Sequence, residues 1–155
     1  MNILFVCSGN TCRSPMAAAI MDKIARENDL NVFVESAGLF AADDQPASAE
    51  AIAAVAQYGI DLSYHRSQPV TEDLLAQCDL VLTMTAAHKM ILENYAPGKV
   101  YTLAEYCGAD GDIPDPYGGD LEEYKETAQA IYDMLVDTAE KLADLEKGKE
   151  SGNGN

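Results

Sequence analysis

Short runs of apolar residues alternate along the chain with segments in which apolar residues recur every three or four positions. The runs are typical of strands buried on both faces, and they predict strands at 3–6, 32–35, 80–84 and 100–103. The periodic segments are typical of amphipathic helices, and they predict helices at 14–27, 48–58, 71–77, 85–94 and 121–147. Residues 36–46 and 108–119 are predicted as loops.

This alternation of strands and helices predicts the fold class. Strands that alternate with helices form parallel sheets that are covered by helices. We therefore expect one α/β domain over residues 1–147, with a four-stranded parallel sheet and helices on both of its faces. Residues 148–155, of which three are Gly and two are Asn, are expected to form a flexible C-terminal tail. Ligands of such sheets bind at the carboxyl ends of the strands.

Charge and composition restrict the partners. The chain has 155 residues, with 10 Lys and Arg against 26 Asp and Glu, which gives a formal net charge of −16. This balance argues against nucleic-acid binding and against docking on an anionic membrane, and it favours basic protein partners. Neither a secretion signal nor an apolar stretch long enough to span a membrane is recognisable, so we expect a cytoplasmic protein.

Cysteine and histidine usage excludes several kinds of site. The chain has only two histidines and no Cys-x-x-Cys pair, so neither a structural zinc site nor another metal site is expected. The G-x-S-x-G elbow, the dinucleotide fingerprint and the Walker phosphate loop are also absent from the sequence. In a reducing compartment the four cysteines are expected as free thiols; they are Cys7, Cys12, Cys78 and Cys107.

The segment between the first strand and the first helix carries the strongest chemical signal. It reads Cys7-Ser8-Gly9-Asn10-Thr11-Cys12-Arg13-Ser14. Gly9 and Asn10 tolerate a positive φ, so the loop can curl until its backbone N–H groups converge beside a helix N-terminus and bind an anion. These amides, the helix dipole and Arg13 all favour the thiolate form of Cys7. We therefore predict a phosphate-binding loop in which Arg13 grips the oxyanion and Ser14 stabilises the departing sulfur.

These residues resemble a known signature. The run from Val6 to Pro15 is similar to that of the low-molecular-weight protein tyrosine phosphatases, and the similarity covers essentially the whole ordered chain. Further landmarks follow in the expected order at Ser36-Ala37-Gly38, His65-Arg66, Leu80 to Met84 and Asp115-Pro116-Tyr117. The resemblance implies a phosphatase without a cofactor, with Cys7 as nucleophile, Arg13 as phosphate clamp and Asp115 as general acid. It also implies that Asn10, Ser36 and His65 support the loop.

Chemical reasoning also favours Asp115. A phosphate monoester or phosphoramidate needs an acid to protonate its leaving atom. Asp115 precedes a proline, which keeps it extended in a loop that can fold over the carboxyl end of the sheet. On composition alone, Asp110, Asp112 and Asp120 remain alternatives. The implied mechanism has two steps: Cys7 attacks phosphorus while Asp115 donates a proton, and water then hydrolyses the phosphocysteine with Asp115 as base.

Thr11 bears on the choice of substrate. Tyrosine-directed members of the family usually carry Ile or Leu at this place, and Thr resembles the bacterial protein arginine phosphatases. Gly118 stands where tyrosine-directed relatives commonly have a second aromatic residue after Tyr117. The resemblance implies phosphoarginine in proteins as the substrate, with phosphotyrosine as the alternative. Thr11, Phe40 and Tyr117 are expected to shape the pocket, a protein arginine kinase would act in opposition, and the expected state is a monomer.

Two other functions start from the same kind of loop. Arsenate reductases of this architecture need a further cysteine pair on a mobile segment after the third strand, and residues 79–106 contain no cysteine. A non-catalytic phospho-binding module should have lost the nucleophile or the acid, and both Cys7 and Asp115 are present. Both functions are therefore disfavoured.

Cys12 has two interpretations. Five positions from Cys7 on a curled loop, it is placed to form a reversible disulfide that protects the nucleophile from irreversible oxidation. The alternative is that it serves as a small buried residue.

Overall fold

A four-stranded parallel sheet forms the centre of the molecule, with the strand order β2-β1-β3-β4. The computed structural model describes residues 1–153. The strands are β1 (Asn2–Cys7), β2 (Phe33–Gly38), β3 (Leu80–Thr83) and β4 (Val100–Thr102). The helices are α1 (Arg13–Glu27), α2 (Ala49–Ala56), α3 (Glu72–Gln77), α4 (Ala86–Glu93), α5 (Leu103–Cys107) and α6 (Leu121–Asn153). The predicted α/β fold is confirmed.

The two faces of the sheet bury two separate apolar clusters. Ile3 and Phe5 point into the larger cluster, which also contains the apolar faces of α1, α2 and α6. Leu4 and Val6 alternate with them and pack with residues of α3 and α4 on the opposite face. Because successive side chains of a strand point to opposite faces, a continuous apolar run is what a strand covered on both sides requires. β1 is therefore the central element on which the rest of the fold is built.

Two predicted ends differ from the structure by three or more residues, and one helix was not predicted. β2 continues through Ser36–Gly38, which was predicted as loop, because these residues pair in register with Phe5, Val6 and Cys7 of β1. The short helix α5 was not predicted; it begins with a capping box between Thr102 and Glu105. Helix α6 extends to Asn153 rather than ending at residue 147. The last two residues of the predicted tail, 154 and 155, lie outside the described residues.

The parallel arrangement brings three loops to one edge of the sheet. β1 ends at Cys7, β2 at Gly38 and β3 at Thr83, and the three strands run in the same direction. The segments that follow these strands therefore converge, as is general for open α/β sheets. Within residues 1–153, none of the helices combines the length and the apolar character that crossing a bilayer requires.

Candidate active site

The loop between β1 and α1 turns at Asn10. Cys7 is the last residue of β1 and Arg13 is the first residue of α1. Asn10 has a φ of 56°, in the left-handed region that Asn tolerates better than most residues. Gly9, which was also expected to supply this conformation, does not have a positive φ. The curl of the loop is therefore produced by Asn10.

Cys7 is buried and accepts hydrogen bonds at its sulfur. Its Sγ atom lies 2.9 Å from the Ser14 hydroxyl and 3.3 Å from the backbone N–H of Asn10. The Asn10 side-chain amide donates to the same Ser14 oxygen at 2.9 Å. The Ser14 proton has two acceptors within reach, the Cys7 sulfur at 2.9 Å and the Ala37 carbonyl oxygen at 3.5 Å, and the sulfur is the nearer one. The Ser14 hydroxyl and the Asn10 N–H therefore place partial positive charge next to the sulfur.

Asn10 is the centre of the network that supports the loop. Its side chain is completely buried, donates to the Ser36 hydroxyl at 2.9 Å and accepts from the backbone N–H of Gln68 at 3.0 Å. The Nε2 atom of His65 lies 2.7 Å from the Asn10 carbonyl oxygen and donates to it. Burial lowers the pKa of His65 and this hydrogen bond only partly offsets the effect, so the ring is neutral near pH 7. The structure thus brings Ser36 and His65 to Asn10; Gln68 had no signal in the sequence.

Gly38 sits directly against the loop. A Cβ atom at this position would lie 2.6 Å from the carbonyl oxygen of Ser8 and 2.9 Å from the backbone nitrogen of Asn10. These neighbours are backbone atoms of the loop, so they cannot move without changing its shape. The residue is therefore required by the close approach of β2 to the phosphate-binding loop.

We predict that Gly38→Ala lowers the free energy of unfolding by about 1–3 kcal/mol and also reduces kcat, because overpacking displaces the loop. Urea denaturation and steady-state kinetics measure the two effects. Gly148→Ala is the matched control, since a Cβ there meets no atom within 4 Å and Ala favours a helix. A Gly38→Ala variant as stable and as active as the parent would contradict this role.

Arg13 and Asp115 meet at the mouth of the loop. The Arg13 side chain is buried, and its Nη1 atom donates to the carbonyl oxygen of Ile113 at 2.9 Å. Its Nη2 atom lies 3.6 Å from the Oδ2 atom of Asp115, whose side chain is about half exposed. The other Asp115 oxygen accepts from the backbone N–H of Tyr117 at 3.0 Å. We call residues 109–120, between α5 and α6, the acid loop.

The other carboxylates of the acid loop have different partners. Asp112 accepts from the backbone N–H of Ala86 at 2.8 Å, at the beginning of α4. Asp120 accepts from the backbone N–H of Glu123 at 2.9 Å, at the beginning of α6. Asp110 is exposed. Of the four candidates, the structure therefore brings Asp115 alone to Arg13.

A pocket of about 230 Å³ opens above Cys7. Its lining contains a thiol, a guanidinium group and a carboxyl group, together with loop and rim residues: Cys7, Gly9, Thr11, Cys12, Arg13, Asp115 and Tyr117. Tyr117 is 80% exposed and stands at the rim. Phe40, which was expected to form a further wall, is 77% exposed and does not contribute to the lining. Across the described part of the chain, no three metal-ligating side chains converge.

Cys12 reaches from the loop to α2 and α6. Its Sγ atom lies 3.3 Å from the Tyr124 hydroxyl and donates to the Ser48 hydroxyl at 3.6 Å. Burial and the contact with Cys12 raise the pKa of Tyr124 to about 12, so the phenol stays protonated. Neither Ser48 nor Tyr124 was identified from the sequence, where Tyr124 is one more apolar position of an amphipathic helix.

Comparison with known proteins agrees with this geometry. The model of the family described as low molecular weight phosphotyrosine protein phosphatase matches residues 2–149. The chain belongs to this family. The predicted resemblance is thereby confirmed.

Members of the family with different named substrates are similar to the chain. A protein-arginine-phosphatase of Bacillus subtilis (strain 168) is 44% identical over 146 residues, which cover 92% of this chain and 97% of that protein. The low molecular weight protein-tyrosine-phosphatase PtpB of Staphylococcus aureus is 39% identical over 147 residues, covering 94% and 99%. A solved structure of the arginine phosphatase YwlE, a mutant with a phosphorylated active-site serine, superposes with a TM-score of 0.89 at 44% identity, covering 92% and 96%.

Proposed function

We propose that the chain is a cysteine-dependent protein phosphatase that hydrolyses phosphoarginine through a phosphocysteine intermediate. The observation that carries this proposal is the shared pocket of Cys7, Arg13 and Asp115. A nucleophile, a cation and an acid around one cavity are the groups that phosphoryl transfer to a thiolate requires. The charge of the phosphoryl group is neutralised by Arg13 and the loop amides.

The first step forms the intermediate. The Cys7 thiolate attacks phosphorus opposite the leaving nitrogen, so that the S–P bond forms as the P–N bond breaks. Asp115 gives its proton to the leaving guanidine nitrogen, and Arg13 binds the phosphoryl oxygens. Because a guanidine is a strong base, its departure without a proton would be slow.

The second step releases phosphate. Water attacks the phosphorus of the phosphocysteine while the Asp115 carboxylate takes up one of its protons. The S–P bond breaks, and the sulfur leaves as a thiolate that the Ser14 hydroxyl stabilises at 2.9 Å. The enzyme returns to its starting state without an external oxidant or reductant.

Two features support phosphoarginine as the substrate. Thr11 lines the pocket, where its small branched side chain leaves more polar surroundings than Ile or Leu would. A guanidinium group is planar and rich in hydrogen-bond donors, so Asp115 is suited to orient it as well as to protonate it. The named activity of the Bacillus subtilis relative supports the same substrate.

Phosphotyrosine is the second candidate, and the 39% identity to the tyrosine phosphatase PtpB favours it. The test is a comparison of kcat/KM on two matched peptides, one with phosphoarginine and one with phosphotyrosine, with Cys7→Ser as the blank. A higher value for the phosphoarginine peptide supports the proposal. A higher value for the phosphotyrosine peptide would transfer the same mechanism to the second candidate.

We expect Thr11→Ile to lower the ratio of phosphoarginine to phosphotyrosine kcat/KM by about 10–200-fold, the range that a steric or apolar change at a pocket wall gives. The same two peptides provide the measurement. Thr127→Ile, at a half-buried position of α6 outside the pocket, is the matched control and should leave the ratio unchanged. An unchanged ratio in Thr11→Ile would remove this residue from the specificity determinants.

The Cys78 thiol, which lies outside the loop, fits a phosphatase better than an arsenate reductase. Cys78 is buried at the end of α3, and burial raises the pKa of its thiol. A resolving cysteine should instead be accessible and readily ionised. We also propose a cytoplasmic location, basic phosphoproteins as substrates and an opposing protein arginine kinase; the formal net charge of −16 supports the choice of basic substrates.

Cys12 is proposed to protect Cys7 by forming a reversible disulfide with it. After peroxide treatment, we expect dithiothreitol to restore most of the activity of the parent and several-fold less in Cys12→Ser, in which Cys7 oxidises further. Cys107→Ser controls for the loss of an unrelated thiol. Equal recovery in the parent and Cys12→Ser would leave Cys12 as a packing residue against Tyr124.

A further inference from the structure

His88 contacts the phosphate-binding loop from outside the pocket. The side chain is 6% exposed, lies in the first turn of α4 and has its Nε2 atom 3.0 Å from the Ser8 hydroxyl. Ser8 directly follows the nucleophile and is separated from His88 by 80 positions in the chain. The mechanism above uses neither residue. The hydrogen bond between Ser8 and His88 therefore links the phosphate-binding loop to α4, the helix that follows β3. We call this hydrogen bond the tie.

The second ring nitrogen of His88 shows which way the hydrogen bond runs. Nδ1 is buried and has no hydrogen-bond partner among the described residues. A buried N–H without an acceptor is rarer and more costly than a buried lone pair without a donor. The proton of the neutral ring is therefore on Nε2, where it is donated to the Ser8 oxygen. A buried ring with one nitrogen satisfied in this way has a single preferred orientation.

The charges around His88 are those of the active site. Burial and, to a smaller extent, the charge of Arg13 lower the pKa of His88, whereas Asp112 and Asp115 of the acid loop raise it less. These are the charged groups that act on the ring from α1 and from the acid loop. The same elements are tied together, since Asp112 accepts from the first residue of α4 and the Ile113 carbonyl accepts from Arg13. His88 thus stands where α4, the acid loop and the phosphate-binding loop meet.

We propose that His88 is a positioning residue of the phosphatase reaction. It holds the phosphate-binding loop through the Ser8 hydroxyl and keeps this loop aligned with the acid loop. The proposal deepens the proposed function and rests on it. The role follows from the position of Ser8: this residue begins the curl whose amides face the phosphoryl group, and its own carbonyl also accepts from Phe40 at 2.9 Å. Loss of the tie allows the loop to sample shapes in which its amides are not aligned.

The first experiment measures kcat and KM for variants of the two partners. His88→Ala and Ser8→Ala should each lower kcat by about five- to tenfold, the value of one hydrogen bond, with KM changed by less than about twofold. The double variant should be no slower than either single variant, because both remove the same contact. His88→Gln, whose amide can donate in place of Nε2, should recover most of kcat.

A control on α4 separates positioning from stability. Leu92→Val alters a buried residue of the same helix, which packs in the apolar cluster with Leu4 and Val6. It should lower Tm and leave kcat unchanged. If His88→Ala does not fold, Ser8→Ala and His88→Gln still test the contact.

The second experiment does not depend on turnover. The chain has only two histidines, so the ring resonances of His88 can be assigned by comparison with His88→Gln. The NMR titration of His88 should have its midpoint below 6.5, the ordinary value. Orthovanadate bound in the pocket should move this midpoint upward, because an anion offsets the charge of Arg13.

The results distinguish this inference from the proposed function. A fully active enzyme in which Ser8→Ala and His88→Ala have additive effects, or in which orthovanadate leaves the His88 midpoint unchanged, would overturn the positioning role alone. An inactive parent enzyme, or a Cys7→Ser variant that keeps its turnover, would instead overturn the proposed function.

Discussion

Replacing Cys7 by Ser is expected to lower kcat by about 10⁵-fold or more, as the removal of a catalytic nucleophile does in other enzymes. A Ser hydroxyl is not ionised near neutral pH and needs a general base. Neither histidine contacts Cys7: His65 donates to the Asn10 carbonyl and His88 to the Ser8 hydroxyl. Among the described residues, the side-chain atom of Cys7 has hydrogen-bond contacts with the Ser14 hydroxyl and the Asn10 N–H, and neither of these groups is a general base that could activate a Ser hydroxyl at this position.

Phosphate release from a phosphoarginine peptide measures this effect, and Cys107→Ser is the matched control. Cys107 is half-buried on α5, where its thiol contacts the Ala104 carbonyl, and its loss should leave kcat unchanged. Mass spectrometry adds a second readout: a small amount of stable phosphoserine at the substituted position is expected, comparable to the phosphorylated serine in the YwlE mutant. Turnover by Cys7→Ser above a trace would exclude the thiolate mechanism.

Asp115→Asn is expected to lower kcat on phosphoarginine by about 10²–10⁴-fold, the usual contribution of a general acid. The Asn side chain keeps the size of Asp and the contact with the Tyr117 backbone N–H. Its amide is not acidic, however, so it cannot protonate a leaving group. Binding of orthovanadate should change little, because its charge is met by Arg13 and the loop amides. The effect should therefore fall on kcat rather than on affinity.

The leaving group provides the sharpest check on Asp115. p-Nitrophenolate is a much weaker base than guanidine, so p-nitrophenyl phosphate should lose less activity in Asp115→Asn than the phosphoarginine peptide does. Asp110→Asn, at an exposed position of the same loop, is the matched control. Equal losses on the two substrates, or a parallel loss of orthovanadate affinity, would indicate that Asp115 acts structurally.

The sequence predicted the elements that rest on local signals. The apolar runs located all four strands, and the residue types of the loop after β1 singled out Cys7 and Arg13, which the structure places in one pocket. The predicted end of β2 was wrong because Ser36–Gly38 are small residues, which are common in loops. They become a strand only through pairing with β1, which the local pattern does not contain.

The supporting contacts could not be predicted for the same reason. Gln68, Ser48 and Tyr124 reach the loop through the fold, and their residue types are ordinary for an exposed loop, a helix cap and a helix stripe. The Arg13 contact with the Ile113 carbonyl is made by a backbone atom and has no sequence signal at all. Each of these contacts forms because the fold brings distant segments together, which local sequence propensity does not indicate.

The contacts that shape the pocket join residues far apart in the chain. Asn10 binds residues 55 and 58 positions away, and Arg13 binds the backbone of a residue 100 positions away. A nascent chain that has emerged from the ribosome only as far as α4 contains Cys7 and Arg13. It still lacks Ile113, whose carbonyl oxygen binds Arg13, and the proposed acid Asp115. Phosphatase activity therefore begins only when synthesis is nearly finished, and in refolding its recovery should coincide with the slowest formation of long-range structure.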